Sequence, residues 1–243
     1  MPERIGLFLR SLLFYLVYGV SVSFWGALLL AVSPLLDHAQ RYRLAMVWNR
    51  FALYWIALSC GVRYRIEGRE HLPTNGCVVV ANHQSSWETL FLTSLFPQLC
   101  ILLKRELLRI PFFGWGLKML QPIAIDRSNP RAALRQVVEG GTQRLASGCS
   151  VLIFPEGTRV DAGEPLRFSR SAAQLAIRAG VGIVCVAHDA GKCWPAHRFL
   201  KYPGTINVII SAPLPSAGSD ANRLTHEAQD WIQQQLDRFT AMA

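Results

Sequence analysis

The sequence predicts an α/β fold, a mostly parallel sheet flanked by helices, with an N-terminal helical membrane module ahead of it. Three observations carry this expectation. From residue 62 onward, seven short apolar runs rich in β-branched residues recur along the chain, at 62–66, 77–81, 99–103, 122–125, 151–154, 181–187 and 205–210. Stretches with helical spacing separate several of them, at 87–96, 130–146 and 171–179, and a last one follows at 221–239. The opening 61 residues are different: apolar, long and without strand-like alternation. Strands buried on both faces read as unbroken apolar runs, and helices between strands supply the crossovers that parallel pairing needs. The expected division is therefore 1–61 for the membrane module and 62–243 for the α/β domain, with Gly61 at the boundary.

Taken in order, the chain begins with Arg4 and Arg10, after which residues 11–36 carry no charge at all. As a helix these 26 or so residues would reach about 39 Å, more than the ~30 Å of a hydrocarbon core, so the segment can span with tilt or dip in and return. It is too long for the apolar part of a cleaved signal peptide. Tyr15, Tyr18 and Trp25 lie inside the segment instead of at its ends, which leaves an interfacial placement open. After a polar break at 37–43, Leu44, Val47, Trp48, Phe51, Tyr54, Trp55 and Leu58 follow the three-four spacing of a helix, one that lies either against a membrane or against the domain.

Composition narrows the class. The formal charge is +9, with 51% hydrophobic and only 17% charged residues. A basic, apolar chain suits an anionic lipid surface. The 25 Lys and Arg residues are scattered instead of clustered, which argues against nucleic acid as a partner. The six cysteines, at 60, 77, 100, 149, 185 and 193, form no Cys-x-x-Cys pair and fit a reduced, cytosol-facing domain. Cys185, His188, Cys193 and His197 have a spacing a small zinc site could use, but Val184-Cys185-Val186 reads as the middle of a buried strand, so no metal is expected. There is no P-loop and no Gly-x-Gly-x-x-Gly, hence no expected cofactor. The absence of Gly-x-Ser-x-Gly argues against a serine hydrolase.

Two stretches carry the chemistry. In the first, the run Val78-Val79-Val80-Ala81 ends at Asn82-His83-Gln84-Ser85-Ser86-Trp87-Glu88. Five residues on one continuous helix would leave His83 and Glu88 about 140° apart, so they meet only if the chain bends, with His83 in a loop after a strand and Glu88 in the first turn of the next helix. A carboxylate on one ring nitrogen frees the other to take a proton. The competing reading is a capping box, with Ser85 at the N-cap and Glu88 at N3. The second stretch, Phe154-Pro155-Glu156-Gly157-Thr158-Arg159, also follows a strand run, and its Gly157, Thr158 and Arg159 suit an anion. Lys104-Arg105 and Asp126-Arg127 end two further strand runs and could converge on the same phosphate.

These motifs, in this order, resemble those of the glycerolipid acyltransferases, in particular the 1-acylglycerol-3-phosphate acyltransferases, over about residues 62–211. The resemblance implies a catalytic base at His83 with Glu88 where the family usually has aspartate. It also implies acceptor and phosphate binding by Arg127, Glu156, Gly157 and Arg159, with Lys104 and Thr158 beside them. The substrates implied are an acyl-CoA or acyl-ACP thioester and a lysophospholipid, most simply 1-acylglycerol 3-phosphate. The implied setting is a bacterial-type inner membrane with the catalytic domain on the cytoplasmic side. Backbone N–H groups near His83 are expected to stabilise the oxyanion. Departures are Gln121 where the family often has glycine, Ala124 in place of an aromatic, and Gly182 and Cys185 in place of prolines. A different lyso-lipid acceptor, a thioesterase using the same histidine on water, and a non-catalytic binder of anionic lipid remain as alternatives.

Overall fold

The structure, a computed structural model, describes residues 2–126 and 129–242. Each of the seven strand-like runs forms a strand: β1 (Val62–Glu67), β2 (Val78–Ala81), β3 (Leu99–Lys104), β4 (Ile123–Ile125), β5 (Ser150–Ile153), β6 (Ile183–His188) and β7 (Gly204–Ile210). They make one sheet in the order β1-β7-β6-β2-β5-β3-β4, parallel throughout except where β7 turns back against β6.

β2 lies between β5 and β6, and its alternation divides the interior in two. Val78 and Val80 face a core shared with α5 (Pro130–Ala146), α6 (Ser171–Ala179) and α7 (Ala221–Ala241). Val79 and Ala81 face the other core, which takes Phe91 and Leu92 of α3 (Trp87–Leu95), Phe14 of α1 (Pro2–Val32) and Ile56 of α2 (His38–Cys60). Successive side chains on a strand point to opposite faces, so an all-apolar run with helices on both sides buries every residue, at about 1.5–3 kcal/mol for each fully buried Val, Leu or Ile.

α1 covers the uncharged segment and runs on through a 3₁₀ turn at Ser33–Leu35. Its inward stripe includes Ser11, Phe14 and Leu29, while Ile5, Leu9, Leu16, Val20 and Phe24 point outward and are exposed. α2 begins at a full capping box, in which Asp37 accepts from the Gln40 backbone N–H and the Gln40 side chain accepts from that of Asp37. Its own outward row is Val47, Phe51, Tyr54 and Leu58. By length and composition alone, residues Glu3–Leu35 could cross a membrane.

One helix has no counterpart among the expected elements: α4 (Phe113–Met119), which is short and contains two glycines. It docks on α1 at Gly26, where a Cβ would lie 2.5 Å from the carbonyl oxygen of Phe112. Only a residue without a side chain lets the two backbones approach this closely.

Candidate active site

His83 sits in the loop after β2 and Glu88 in the first turn of α3, the bend that five-residue spacing demands. His83 Nδ1 is 2.7 Å from Glu88 Oε1. The same oxygen accepts the backbone N–H groups of Gln84 at 3.0 Å and Ser85 at 2.8 Å, and Oε2 accepts the Ser85 hydroxyl. The Ser85 oxygen in turn accepts the Trp87 N–H at 2.9 Å. The helix itself is capped at Ser86, one residue later than the expected box and with no side-chain cap bond, yet Glu88 still ties down the N–H groups of the preceding turn while it orients the histidine.

Glu88 is wholly buried. Burial pushes its carboxyl up, but His188, His83 and the Ser85 hydroxyl together outweigh that and hold it down at about 2. An ionised carboxylate only accepts, so Nδ1 must carry the proton and Nε2 is left unprotonated, with a lone pair able to accept one. Among the described residues Nε2 has no hydrogen-bond partner. The ring lies flat on Phe154, centroids 4.0 Å apart and planes 12° apart, which fixes its orientation from the other motif.

The N–H groups of Gln84, Ser85 and Trp87 are all engaged within this turn. The sequence-based expectation of oxyanion donors near His83 cannot therefore draw on these three.

The residues flanking His83 are anchored to the end of β6. Asn82 and His188 exchange three hydrogen bonds: Asn82 Nδ2 donates to the His188 carbonyl, the His188 N–H donates to Asn82 Oδ1, and His188 Nε2 donates to the Asn82 carbonyl. His188 Nδ1 accepts from the Ala190 N–H, so both ring nitrogens are satisfied in the neutral form, and burial lowers its pKa. Gln84 Oε1 accepts the Gly191 N–H at 3.1 Å. Among the described residues no group of His, Cys, Asp and Glu is arranged to hold a metal. Sequence reading gave Asn82, Gln84 and His188 no part in the site; the one available signal was that two amide side chains bracket the histidine.

The Phe-Pro-Glu-Gly-Thr-Arg turn meets the histidine loop directly. The Val160 N–H donates to the His83 carbonyl at 2.8 Å. Gly157 adopts φ +74, a left-handed conformation that suits glycine. Among the described residues Glu156 makes no ion pair with Arg159, and its carboxyl oxygens and Arg159 Nε are buried without a well-formed hydrogen bond. Burial pushes the Glu156 carboxyl up to about 8; the backbone N–H groups of His83 and Glu156 pull it down only in part, and the Glu88 charge adds to the rise. The two carboxyls of the site are thus driven apart, one ionised and one neutral at pH 7.

His83, Phe154, Thr158, Arg159 and Lys104 line one cavity of about 440 Å³. It runs along all of β3 from Lys104 to Leu99, about 20 Å for six extended residues. Trp25, Gly26 and Leu29 of α1 and Leu117 of α4 form part of its wall. Polar groups stand at the far end, where Arg144 Nη1 donates to Gln121 Oε1. Gln121 has φ +50, so the position the resemblance assigns to glycine does adopt a glycine-like backbone. Arg127 lies outside the described residues.

A family model described as Acyltransferase matches residues 63–189. Over 94% of this chain and 90% of its relative, the sequence is 42% identical to a 1-acyl-sn-glycerol-3-phosphate acyltransferase of Pseudomonas aeruginosa. A chloroplastic 1-acyl-sn-glycerol-3-phosphate acyltransferase of Arabidopsis thaliana is 31% identical, over 94% of this chain and 65% of the plant protein. The crystal structure of the 1-acyl-sn-glycerophosphate acyltransferase PlsC from Thermotoga maritima superposes with a TM-score of 0.82 at 25% identity, covering 99% of this chain and 98% of that one.

Proposed function

This chain belongs to the acyltransferase family, and on that premise we propose that it moves a fatty acyl group from a thioester, on coenzyme A or acyl carrier protein, to the free hydroxyl of 1-acylglycerol 3-phosphate, giving phosphatidic acid. The observation that carries the reading is the meeting of two distant loops on one cavity: the His83–Glu88 pair and the Arg159 turn, tied by the Val160 to His83 hydrogen bond.

The chemistry follows from the protonation states. Nε2 of His83 takes the hydroxyl proton as the acceptor oxygen bonds to the thioester carbonyl carbon. The tetrahedral intermediate collapses, the carbon–sulfur bond breaks, and the imidazolium returns the proton to the leaving thiolate. The acceptor oxygen is itself the nucleophile, so no acyl-enzyme is required. Glu88 holds the tautomer and offsets the charge that appears on the ring. Arg159, Lys104 and Thr158, which line the cavity, grip the acceptor phosphate, with Gly157 giving close backbone access; the family resemblance adds Arg127 to this clamp. Glu156, neutral at pH 7, adds no repulsion to a phosphate. The long apolar groove along β3 suits an acyl chain.

Residues 1–61 act in this reading as the membrane module of the catalytic domain 62–243. The outward rows of α1 and α2 are exposed and apolar, and a lipid surface suits them better than water does. Contact with a cytoplasmic leaflet would bring both apolar substrates to the cavity wall that α1 helps to build.

The test is purified protein with labelled acyl-CoA or acyl-ACP against a panel of lyso-lipids, with product analysis. Phosphatidic acid should form from 1-acylglycerol 3-phosphate, and His83→Ala should abolish it while leaving a folded, vesicle-bound protein. Thioester cleavage without any acceptor would instead support a thioesterase.

A further inference from the structure

A second cavity, of about 340 Å³, lies beside the first and shares Tyr18, Ser86, Arg159 and His197 with it. Its chemistry is different. Arg159, His197 and Arg198 line it, and among the described residues no carboxylate does. Such a space favours an anion.

The turn that presents His197 and Arg198 is held with unusual firmness. Lys201 is wholly buried, and its ammonium donates to the carbonyls of Arg198 at 2.7 Å, Phe199 at 3.0 Å and Leu200 at 3.4 Å. The same nitrogen lies 5.0 Å and 5.2 Å from the ring centres of Tyr15 and Trp194. Burial draws its pKa down to about 8, which still leaves it mostly charged at neutral pH. The Lys201 N–H donates to Ser11 Oγ on α1 at 2.9 Å, Phe199 stacks on Tyr15, and the Tyr202 N–H closes the base of the turn on the Cys193 carbonyl. His197 is held at φ +55, a left-handed conformation that is unfavourable for a residue with a Cβ. A buried charge and a strained residue are both unfavourable alone, and the transfer chemistry uses neither. Together they keep one turn in one shape, with its imidazole and guanidinium lining the cavity next to Arg159.

We propose that His197 and Arg198 form, with Arg159, a second phosphate-binding subsite beside the catalytic histidine, and that Lys201 is the positioning residue that holds it open. The proposal rests on the acyltransferase reading for its candidate ligands, since both substrates carry phosphate: a monoester on the acceptor, and phosphodiester or pyrophosphate groups on the carrier of the donor. The shared chemistry is a phosphate group. An apolar chain has the groove along β3, which leaves this polar cavity for a charged end.

The experiment is equilibrium binding by calorimetry on the full chain in detergent, without turnover. The probes are 1-oleoylglycerol 3-phosphate, its phosphate-free counterpart 1-oleoylglycerol, and coenzyme A. Arg198→Gln, at an exposed position, and His197→Asn, which tolerates a positive φ, should each weaken one phosphate-bearing probe about tenfold, the loss expected for one charge-assisted hydrogen bond. Binding of 1-oleoylglycerol should stay unchanged. Whichever phosphate probe weakens identifies the source. Lys201→Met should lower the ratio of phosphate-bearing to phosphate-free affinity, whereas a merely structural loss would weaken both alike. If Arg198→Gln and His197→Asn leave both phosphate probes within twofold of the parent, the subsite is refuted, even in a protein that transfers acyl groups normally. A parent that binds these probes in the expected pattern yet transfers nothing would fail the catalytic reading and leave the subsite standing.

Discussion

Replacing Glu88 by glutamine separates the carboxylate's charge from its shape. The amide oxygen can still accept from His83 Nδ1 and from the N–H groups of Gln84 and Ser85, which now converge on Oε1 between 2.7 and 3.0 Å. The amide nitrogen can donate to the Ser85 oxygen, whose proton is free to turn elsewhere. The turn and the tautomer therefore survive, and what is lost is the attraction between a carboxylate and the imidazolium that forms as the acceptor is deprotonated. Two unit charges about 4 Å apart at an effective dielectric near 20 attract by about 4 kcal/mol. Because the His83 side chain keeps 15% of its surface in solvent, we take about 3–4 kcal/mol, which at 1.36 kcal/mol per decade is a loss of about 10²–10³ in kcat. The assay is release of free thiol from the acyl thioester at saturating 1-acylglycerol 3-phosphate, beside a circular dichroism check of folding. A folded Glu88→Gln enzyme with kcat within fivefold of the parent would refute the electrostatic role.

Three other outcomes are expected. Between pH 4.5 and 8 the unfolded chain ionises Glu156 while the folded one does not, so the folded state binds more protons and this group's contribution to stability falls as pH rises, by up to about 5 kcal/mol. Glu156→Gln should therefore raise the urea midpoint clearly at pH 8 and little at pH 5, and an equal gain at both values would count against a neutral Glu156. Arg159→Ala should raise the KM for 1-acylglycerol 3-phosphate about tenfold or more; unchanged acceptor kinetics would remove Arg159 from the phosphate clamp. Gly26→Leu should destabilise the fold by about 1–3 kcal/mol, because its side chain must displace the carbonyl of Phe112, the N-cap of α4, and an unaltered thermal midpoint would show the contact to be loose.

Much of the architecture could be read without coordinates because the signal was local. Runs such as Val78-Val79-Val80-Ala81 are strands wherever both faces are covered, and the helices between them fixed the parallel topology. The one antiparallel pair, β6 with β7, had no such signal: direction depends on how the chain returns through residues 189–203, and strand composition does not encode it. α4 escaped notice because its seven residues hold two glycines and owe their helix to packing on α1.

At the site, the residue types and their order along the chain pointed to the histidine, the carboxylate and the arginine as candidates, and the structure brings the three together around one cavity. The sequence alone also settled that His83 and Glu88 need a bend to meet, which is a matter of helix geometry. Three things belonged to the tertiary structure. Glu88 serves the preceding turn and the histidine at once, which denies three nearby N–H groups to an oxyanion. Glu156 and Glu88 hold opposite protonation states because one carboxyl is buried among donors and the other is not. The His197–Arg198 turn stands beside the cavity that His83 lines, fastened to α1 by Lys201. Each depends on groups brought together from distant parts of the chain, and burial, pKa and cavity shape are properties of that assembled neighbourhood, which no local pattern of residues specifies.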